Sequence, residues 1–232
     1  MSTSGSTDFS INRDALISRA LRLIGVVAQG ETPTTDQVSE AALALNSLVK
    51  AWQADGMPLW AIKQRVVPLV SGQSTYTLST PKPLKLLQAW NRNTISNVDI
   101  PMRIVTKDEY NRLGNKTTSG NPIQVYYDPR LDTGELHTFP TPSVTEAANN
   151  VLYVVYQSTF EDFDSSTDTP DFPQEWYDAL TYGLATRLAP EYGVSTTERK
   201  TLWQEMTIIK QDALNFGGEE GSLYCQRDSR GY

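Results

Sequence analysis

Two segments with helical apolar stripes lie near the ends of this chain, and a long strand-like region separates them. The first segment runs from Asn12 to Asp55 and the second from Pro173 to Phe216. In both, apolar residues recur at steps of three and four, which places them on one face of a helix. Such a face has to be buried against another element. We therefore expect the two segments to pack together and the region between them to form a separate part of the fold.

Capping signals place the ends of the predicted helices. Asn12 is a suitable N-cap for the first helix, and Gly25 ends that helix. Pro173 suits the first position of the third long helix. A Ser or Thr followed three residues later by Glu or Gln is the capping-box pattern. It begins three further helices, at Thr34 and Gln37, at Thr106 and Glu109, and at Ser195 and Glu198.

The middle region contains runs of β-branched and aromatic residues, which are typical of strands. Residues 65–69 and 74–78 flank Ser71-Gly72 and predict a hairpin, with Pro68 confining its strand to a sheet edge. Further strands are predicted at residues 100–105, 123–127, 136–139 and 151–156. Residues 115–121 are polar and contain glycine, which predicts a mobile loop.

These patterns predict an α+β fold in which a helical bundle from both terminal regions carries a β-rich insertion and an extended C-terminal tail. The predicted parts are a flexible N-terminal arm (1–11), the helical bundle domain (12–63 and 173–216), the β-rich insertion (64–157), an acidic loop (158–172) and the C-terminal tail (217–232). The arm is small and polar, so it has little apolar surface to offset the entropy of ordering.

Charge and composition exclude several classes of protein. The formal net charge is -7, and the Lys and Arg residues are scattered without a basic run, which argues against tight nucleic-acid binding. No apolar run approaches the roughly 20 residues of a membrane span, and the first residues lack an export signal. Cys225 is the only cysteine, so no intramolecular disulfide and no cysteine-based metal cluster can form. No phosphate-loop, dinucleotide or zinc motif appears, and we predict no cofactor and no metal.

Acidic side chains are the main candidates for chemistry. Glu161, Asp162 and Asp164 could form an acid/base pair or hold a cation through oxygen ligands. Adjacent Asp and Glu residues on a loop are, however, ordinarily solvated, and we favour that interpretation.

A second group of acidic residues lies near the only histidine. Asp128, Asp132 and Glu135 depart from the spacing of a calcium-binding loop, and their neighbours indicate turns. His137 lies on a predicted strand without a nucleophile motif nearby. We therefore predict structural roles for these residues and expect no enzymatic activity.

Short motifs along both helical segments recur in a characteristic order. The first segment contains Ala15-Leu-Ile-Ser-Arg-Ala-Leu-Arg-Leu-Ile-Gly25, Gly30-Glu-Thr-Pro33 and Ala42-Leu-Ala-Leu-Asn46. The second half contains Phe139-Pro-Thr-Pro142, Trp176-Tyr-Asp-Ala-Leu180 and Leu184-Ala-Thr-Arg-Leu-Ala-Pro-Glu-Tyr-Gly193. In this order they resemble the head-to-tail adaptor (connector) proteins of bacteriophages, the tail accessory or packaged-DNA-stabilising proteins of short-tailed phages.

The resemblance implies a homo-oligomeric ring of twelve subunits beneath the portal protein. By position, residues 217–232 correspond to the extension with which such proteins reach the portal. The portal-binding residues expected there are Leu223, Tyr224, Arg227, Arg230 and Tyr232. Each large apolar side chain could contribute roughly 1.5–3 kcal/mol when buried in a partner groove, and the arginines could pair with carboxylates.

We therefore expect a structural, non-enzymatic component of the virion at the head-tail junction, assembled in the cytoplasm of the bacterial host. It would extend the DNA channel, let packaged DNA pass without specific binding, and offer a platform to a tail nozzle or tail-tube protein. Two alternatives stay open. One is a peptidoglycan-cleaving hydrolase of the tail, using a pair such as Glu161 and Asp164. The other is a neck or head-completion protein of a long-tailed phage.

Overall fold

The computed structural model describes residue 5 and residues 9–55, 61–79 and 81–216. The helices in these ranges are α1 (Arg13–Leu23), α2 (Thr35–Asp55), α3 (Lys107–Asn111), α4 (Val144–Asn149), α5 (Tyr177–Leu188) and α6 (Thr196–Phe216). The strands are β1 (Ile62–Pro68), β2 (Thr75–Leu78), β3 (Lys85–Asn93), β4 (Asp99–Pro101), β5 (Arg103–Ile104), β6 (Ser119–Gly120), β7 (Gln124–Pro129), β8 (Gly134–Phe139), β9 (Thr141–Pro142) and β10 (Asn150–Gln157). The α+β class predicted from the sequence is confirmed.

The chain divides into two compact units. The helical unit comprises Met1–Leu48 and Phe163–Tyr232, and the β unit comprises Val49–Asp162. Helix α2 begins in the first and ends in the second. Among the described helices, none has the length and apolar character needed to cross a bilayer.

In the helical unit, α5 contacts both α1 and α6. The fully buried leucines and isoleucine of α1 and α5 are Leu16, Ile17, Leu21, Leu180, Leu184 and Leu188. An ion pair of 2.9 Å between Arg19 and Asp178 also joins α1 to α5. Residues from the two distant ends of the sequence therefore share one core.

The predicted helix caps are present. Asn12 Oδ1 accepts a hydrogen bond from the Ala15 amide at 2.9 Å. All three capping boxes form in both directions, at Thr34 and Gln37, at Thr106 and Glu109, and at Ser195 and Glu198. Gly25 follows α1 with a φ of 74°, as expected for a glycine that ends a helix.

The placement of Pro173 in the first helical turn is wrong. Its backbone is extended, with a ψ of 154°, and a 3-10 turn over Gln174–Trp176 separates it from α5. The fixed φ of proline fits both an extended residue and a first helical turn, so the sequence does not decide between them.

The β unit contains two four-stranded sheets. One has the order β1-β10-β3-β4 and is antiparallel throughout. The other has the order β2-β8-β7-β5, with β5 parallel to β7, and a short parallel pair joins β6 to β9. Buried residues from both sheets form one core, which gives a β-sandwich. They include Val67, Ala89, Leu152, Val154 and Tyr156 of the first sheet and Tyr76, Leu78, Val125, Tyr127 and Leu136 of the second.

The predicted hairpin is wrong, because β1 pairs with β10 and β2 pairs with β8. The turn between them carries the chain from one sheet to the other. The Tyr76 hydroxyl stabilises this corner by accepting from the Val70 amide and donating to the Gln73 carbonyl, each at 3.0 Å. A turn signal between two strands does not distinguish a hairpin from a corner between sheets. The edge position predicted from Pro68 is confirmed, since β1 is an edge strand.

Other strand predictions need smaller corrections. The run predicted at residues 100–105 divides at Met102 into β4 and β5, which belong to different sheets. Residues 115–121, predicted as a loop, contain β6, and the Asn115 side chain accepts from the amide of Thr117 at 3.1 Å. Strand β3, which is nine residues long, was not among the predicted strands.

Candidate functional site

The predicted portal-binding tail, residues 217–232, lies outside the described residues, and so do its residues Leu223, Tyr224, Arg227, Arg230 and Tyr232. Most of the predicted N-terminal arm also lies outside them. The tail directly follows α6 in the sequence, so α6 is the described element adjacent to it.

Helix α6 is only partly buried in the part of the chain that the structure describes. Of its 21 residues, Ala213 alone is buried. The predicted apolar stripe is half-buried over most of its length, but its last member, Phe216, is 76% exposed. Trp203 and Ile208 are also more than half exposed. Large apolar side chains on a free helix face are a feature of surfaces that bind another molecule.

Charge is divided very unevenly between the two units. The helical unit holds 9 Lys and Arg residues against 17 Asp and Glu, a net charge of -8. The β unit holds 11 against 10, a net charge of +1. The acidity of the chain therefore belongs to the helical unit, where it opposes contact with a phosphate backbone.

Two carboxylates of the acidic loop, Asp162 and Asp168, make contacts that stabilise the fold. Asp162 pairs with Lys50 at 2.7 Å. Asp168 accepts from the amides of Asp164 and Ser165 at 2.9 and 2.7 Å, which closes a turn. Glu161 and Asp164 are exposed, whereas the general acid of a glycosidase needs a pKa raised by burial. This geometry does not favour the hydrolase alternative.

The same loop is anchored by aromatic residues. Phe160, Phe163 and Phe172 are each less than a tenth exposed. The amide of Phe163 donates to Asn46 Oδ1 at 2.9 Å. The predicted exposure to solvent therefore applies to the carboxylates Glu161, Asp162 and Asp164, whereas the phenylalanines of the loop are buried.

His137 belongs to an aromatic stack. Its ring lies 5.5 Å from that of Tyr126 and 5.4 Å from that of Tyr110, and Nδ1 is 3.0 Å from Thr75 Oγ1. Burial lowers the pKa of His137, and the negative charge of Glu135 opposes that shift. These contacts give the imidazole a packing role, with the Thr75 hydroxyl as its hydrogen-bond partner.

The acidic residues near His137 hold a turn. Arg130 reaches Glu135 at 2.6 Å and Asp128 at 3.4 Å. Burial would raise the pKa of Asp128, but a hydrogen bond from Tyr126 and the charge of Lys107 lower it on balance. Within the described ranges, no group of three or more His, Cys, Asp or Glu side chains is placed to hold a metal ion.

The first sheet of the β unit carries a row of apolar side chains in register. Val66 pairs with Tyr153, Tyr153 with Trp90, and Trp90 with Pro101, so the row crosses all four strands. The rings of Trp90 and Tyr153 stack at 5.3 Å with an angle of 4°. Tryptophan and tyrosine side chains are the ones most often found at the centre of binding surfaces.

An ion pair borders this row. The Arg92 guanidinium lies 4.7 Å above the Tyr153 ring and donates two hydrogen bonds of 2.6 Å to the Asp99 carboxylate. These bonds lower the pKa of Asp99 and raise that of Arg92. This surface was not predicted, because β3 was not predicted. A signal was available in the outward positions of β10, where Tyr153 and Val155 alternate with buried residues.

A protein-family model described as SU10 adaptor protein matches residues 11–215, which span both units. No curated protein matches the chain. The match ends before the tail begins.

Proposed function

The chain belongs to the SU10 adaptor protein family, and we propose that this structural adaptor of a bacteriophage forms a twelve-subunit ring under the portal. In this proposal the ring extends the DNA channel and provides the platform to which a tail nozzle or tail-tube protein attaches. The observation that supports the proposal is the family match, because it covers the whole β unit and most of the helical unit rather than a single motif. The assignment to a short-tailed phage, rather than to the neck of a long-tailed one, is part of the proposal.

The distribution of charge supports a passive channel. The net charge of -8 on the helical unit repels DNA phosphates, so packaged DNA could pass without being held. Asp162, Asp168 and His137 have structural contacts, which fits a protein that assembles and does not catalyse a reaction.

Portal binding is assigned in this proposal to residues 217–232. Leu223 and Tyr224 supply the apolar anchors, and Arg227 and Arg230 supply charges that can pair with carboxylates. Ordering a tail consumes much of the gain from its contacts, so one tail binds weakly. Several tails on one ring bind far more tightly, since after the first has docked the others face a high effective concentration of sites.

Deleting residues 217–232 tests this assignment. The truncated protein should keep its circular dichroism spectrum and melting temperature but lose co-sedimentation with purified portal particles. A double change of Leu223 and Tyr224 to alanine should have most of the same effect, whereas Ser222→Ala serves as the matched control and should bind normally. Undiminished co-sedimentation of the truncated protein would count against the tail as the docking element.

A further inference from the structure

One end of the β unit carries exposed aliphatic side chains on three neighbouring loops. The loops are the corner between β1 and β2, the turn of the β3–β4 hairpin, and the start of α4. The four side chains, which are 50%, 75%, 54% and 74% exposed, are those of Val70, Ile95, Val98 and Val144. Strand register places the loops at the same end of the first sheet, because Pro68 pairs with Val151 and Val151 with Arg92. We call this surface the β tip.

Hydrogen bonds join the three loops. The Gly72 amide donates to the Pro142 carbonyl at 3.0 Å, which connects the corner to the residues just before α4. The Thr94 amide and hydroxyl both donate to the Asn149 carbonyl, at 2.7 and 2.8 Å, which connects the hairpin turn to the end of α4. The four exposed side chains therefore lie on one connected surface and not on separate loops.

The hairpin turn is also held in one conformation. Asn93 Oδ1 accepts from the amides of Ile95 and Ser96 at 3.0 and 2.9 Å. Asn93 Nδ2 donates to Asn150 Oδ1 at 2.9 Å. Asn97 has a φ of 56°, in the left-handed region that asparagine tolerates better than most residues. A surface that is ordered before it binds loses little conformational freedom on binding, so the β tip is suited to a contact of defined geometry.

Nucleic acid and lipid are poor partners for this surface. Residues 69–74, 94–98 and 143–149 contain neither Lys nor Arg, the residues that a phosphate backbone and anionic lipid headgroups attract. They also lack the aromatic side chains that anchor proteins at a membrane interface. Their one charged residue, Glu146, accepts a hydrogen bond from Asn150 Nδ2. An exposed apolar surface of this composition matches an apolar surface of another protein.

A second copy of this chain fits the β tip poorly. Its helical unit has a net charge of -8, and the tip offers no cation with which those carboxylates could pair when they lose water. Two tips that met each other would form a two-fold pair, whereas the subunits of a ring meet through two different surfaces. The contact therefore points to a protein other than this chain.

The position of the tip separates the remaining partners. β1 is the first strand after α2 and β10 is the last strand before the helical unit resumes, and their linked ends, Ile62 and Gln157, pair at the end of the sheet opposite to the tip. β1 has seven residues, so the two ends lie roughly 20 Å apart at about 3.3 Å per residue. The proposed function assigns portal binding to residues 217–232, which belong to the helical unit.

We infer that the β tip is the surface on which the tail nozzle or tail-tube protein docks, through an apolar and uncharged surface of that protein. This inference rests on the proposed function and adds to it the residues that form the platform. Ile95 and Val144 are the most exposed of the four side chains, so they are the positions to change.

The test is binding of the purified tail nozzle or tail-tube protein to portal particles that already carry the full chain. Ile95→Asp and Val144→Asp each place an unpaired charge in the contact, and each should weaken binding of that protein at least about tenfold. The two positions lie on different loops, so a local disturbance of one loop does not decide the result. Leu131→Asp is the matched control, because Leu131 is 90% exposed at the opposite end of the second sheet, and it should bind normally.

Circular dichroism spectra and melting temperatures should be unchanged in all three variants. Binding of the nozzle or tail-tube protein by both tip variants at the level of Leu131→Asp would overturn the inference and leave the adaptor role intact. The inference is also wrong if portal-bound unchanged protein takes up neither protein, or if the tip variants no longer assemble on portals. Failure of the unchanged protein to bind portals at all would instead refute the proposed function, and the inference with it.

Discussion

Gly134 is the position where the smallest possible change should have a large effect. It is buried at the start of β8, and the ring of Tyr127 on β7 lies over it. A Cβ atom added at Gly134 would lie 2.5 Å from Cε2 and 2.6 Å from Cζ of Tyr127, and closer still to the hydroxyl oxygen. Such distances are far inside van der Waals contact. Either the ring or the strand would have to move.

Tyr127 has little freedom to move. It is 9% exposed, its hydroxyl donates to the Pro83 carbonyl at 2.5 Å, and burial raises its pKa to about 12. Overpacking a core costs about 1–3 kcal/mol. Loss of the hydrogen bond to Pro83 adds about 0.5–1.5 kcal/mol. We therefore expect Gly134→Ala to lower the free energy of unfolding of the β unit by about 2–4 kcal/mol.

Urea unfolding monitored by tryptophan fluorescence would measure this change. Gly114→Ala is the matched control, because a Cβ at Gly114 meets no atom within 4 Å, and it should alter stability by less than about 0.5 kcal/mol. Tyr127→Phe removes the closest atom, so the two changes combined should cost less than their sum. Wild-type stability for Gly134→Ala, or strict additivity with Tyr127→Phe, would refute the reasoning.

Three further changes test other parts of the fold. Leu184→Ala, at a fully buried position of α5, should cost about 2–5 kcal/mol in thermal or urea unfolding, and a cost below 1 kcal/mol would contradict the shared helical core. Ser195→Ala removes one side of a capping box and should cost about 1 kcal/mol, measured against Thr197→Ala in the same helical turn. His137 has a lowered pKa when folded, so its contribution to stability is present above its ordinary pKa of 6.5 and is lost as the pH falls through the folded value. The stability of the wild type relative to His137→Phe should therefore decline below pH 6.5, and an unchanged difference down to pH 4.5 would contradict it.

Local signals in the sequence were reliable where the structure depends on neighbouring residues. A capping box involves two side chains three positions apart, and each of the three predicted boxes forms. Strand pairing depends on residues far apart, and there the prediction failed. β1 pairs with β10, so that Ile62 faces Gln157, a partner that no local pattern identifies.

The composition of β3 explains why it was missed. Its positions on the core side include Ala89 and the buried Asn91, whose amide donates to Asn121 Oδ1 at 2.5 Å. A polar residue on the core side of a strand interrupts the alternation by which the strand is recognised. The large side chains of Trp90 and Arg92 lie on the other face, against Tyr153. The largest side chains of β3 therefore lie on the outer face of the sheet and not in the core.

The division of charge has the same origin as the missed pairing, because it appears only when distant parts of the sequence are grouped in space. The net charge of -7 for the whole chain does not show where the acidic residues lie. Grouped by the fold, the helical unit has a net charge of -8 and the β unit a net charge of +1. In the proposed ring, helical units of neighbouring copies therefore repel one another, and contacts between copies form against this repulsion. Screening by salt reduces this repulsion. Self-association of this chain should consequently strengthen with ionic strength, and weakening in salt would mean that attraction between opposite charges joins the copies.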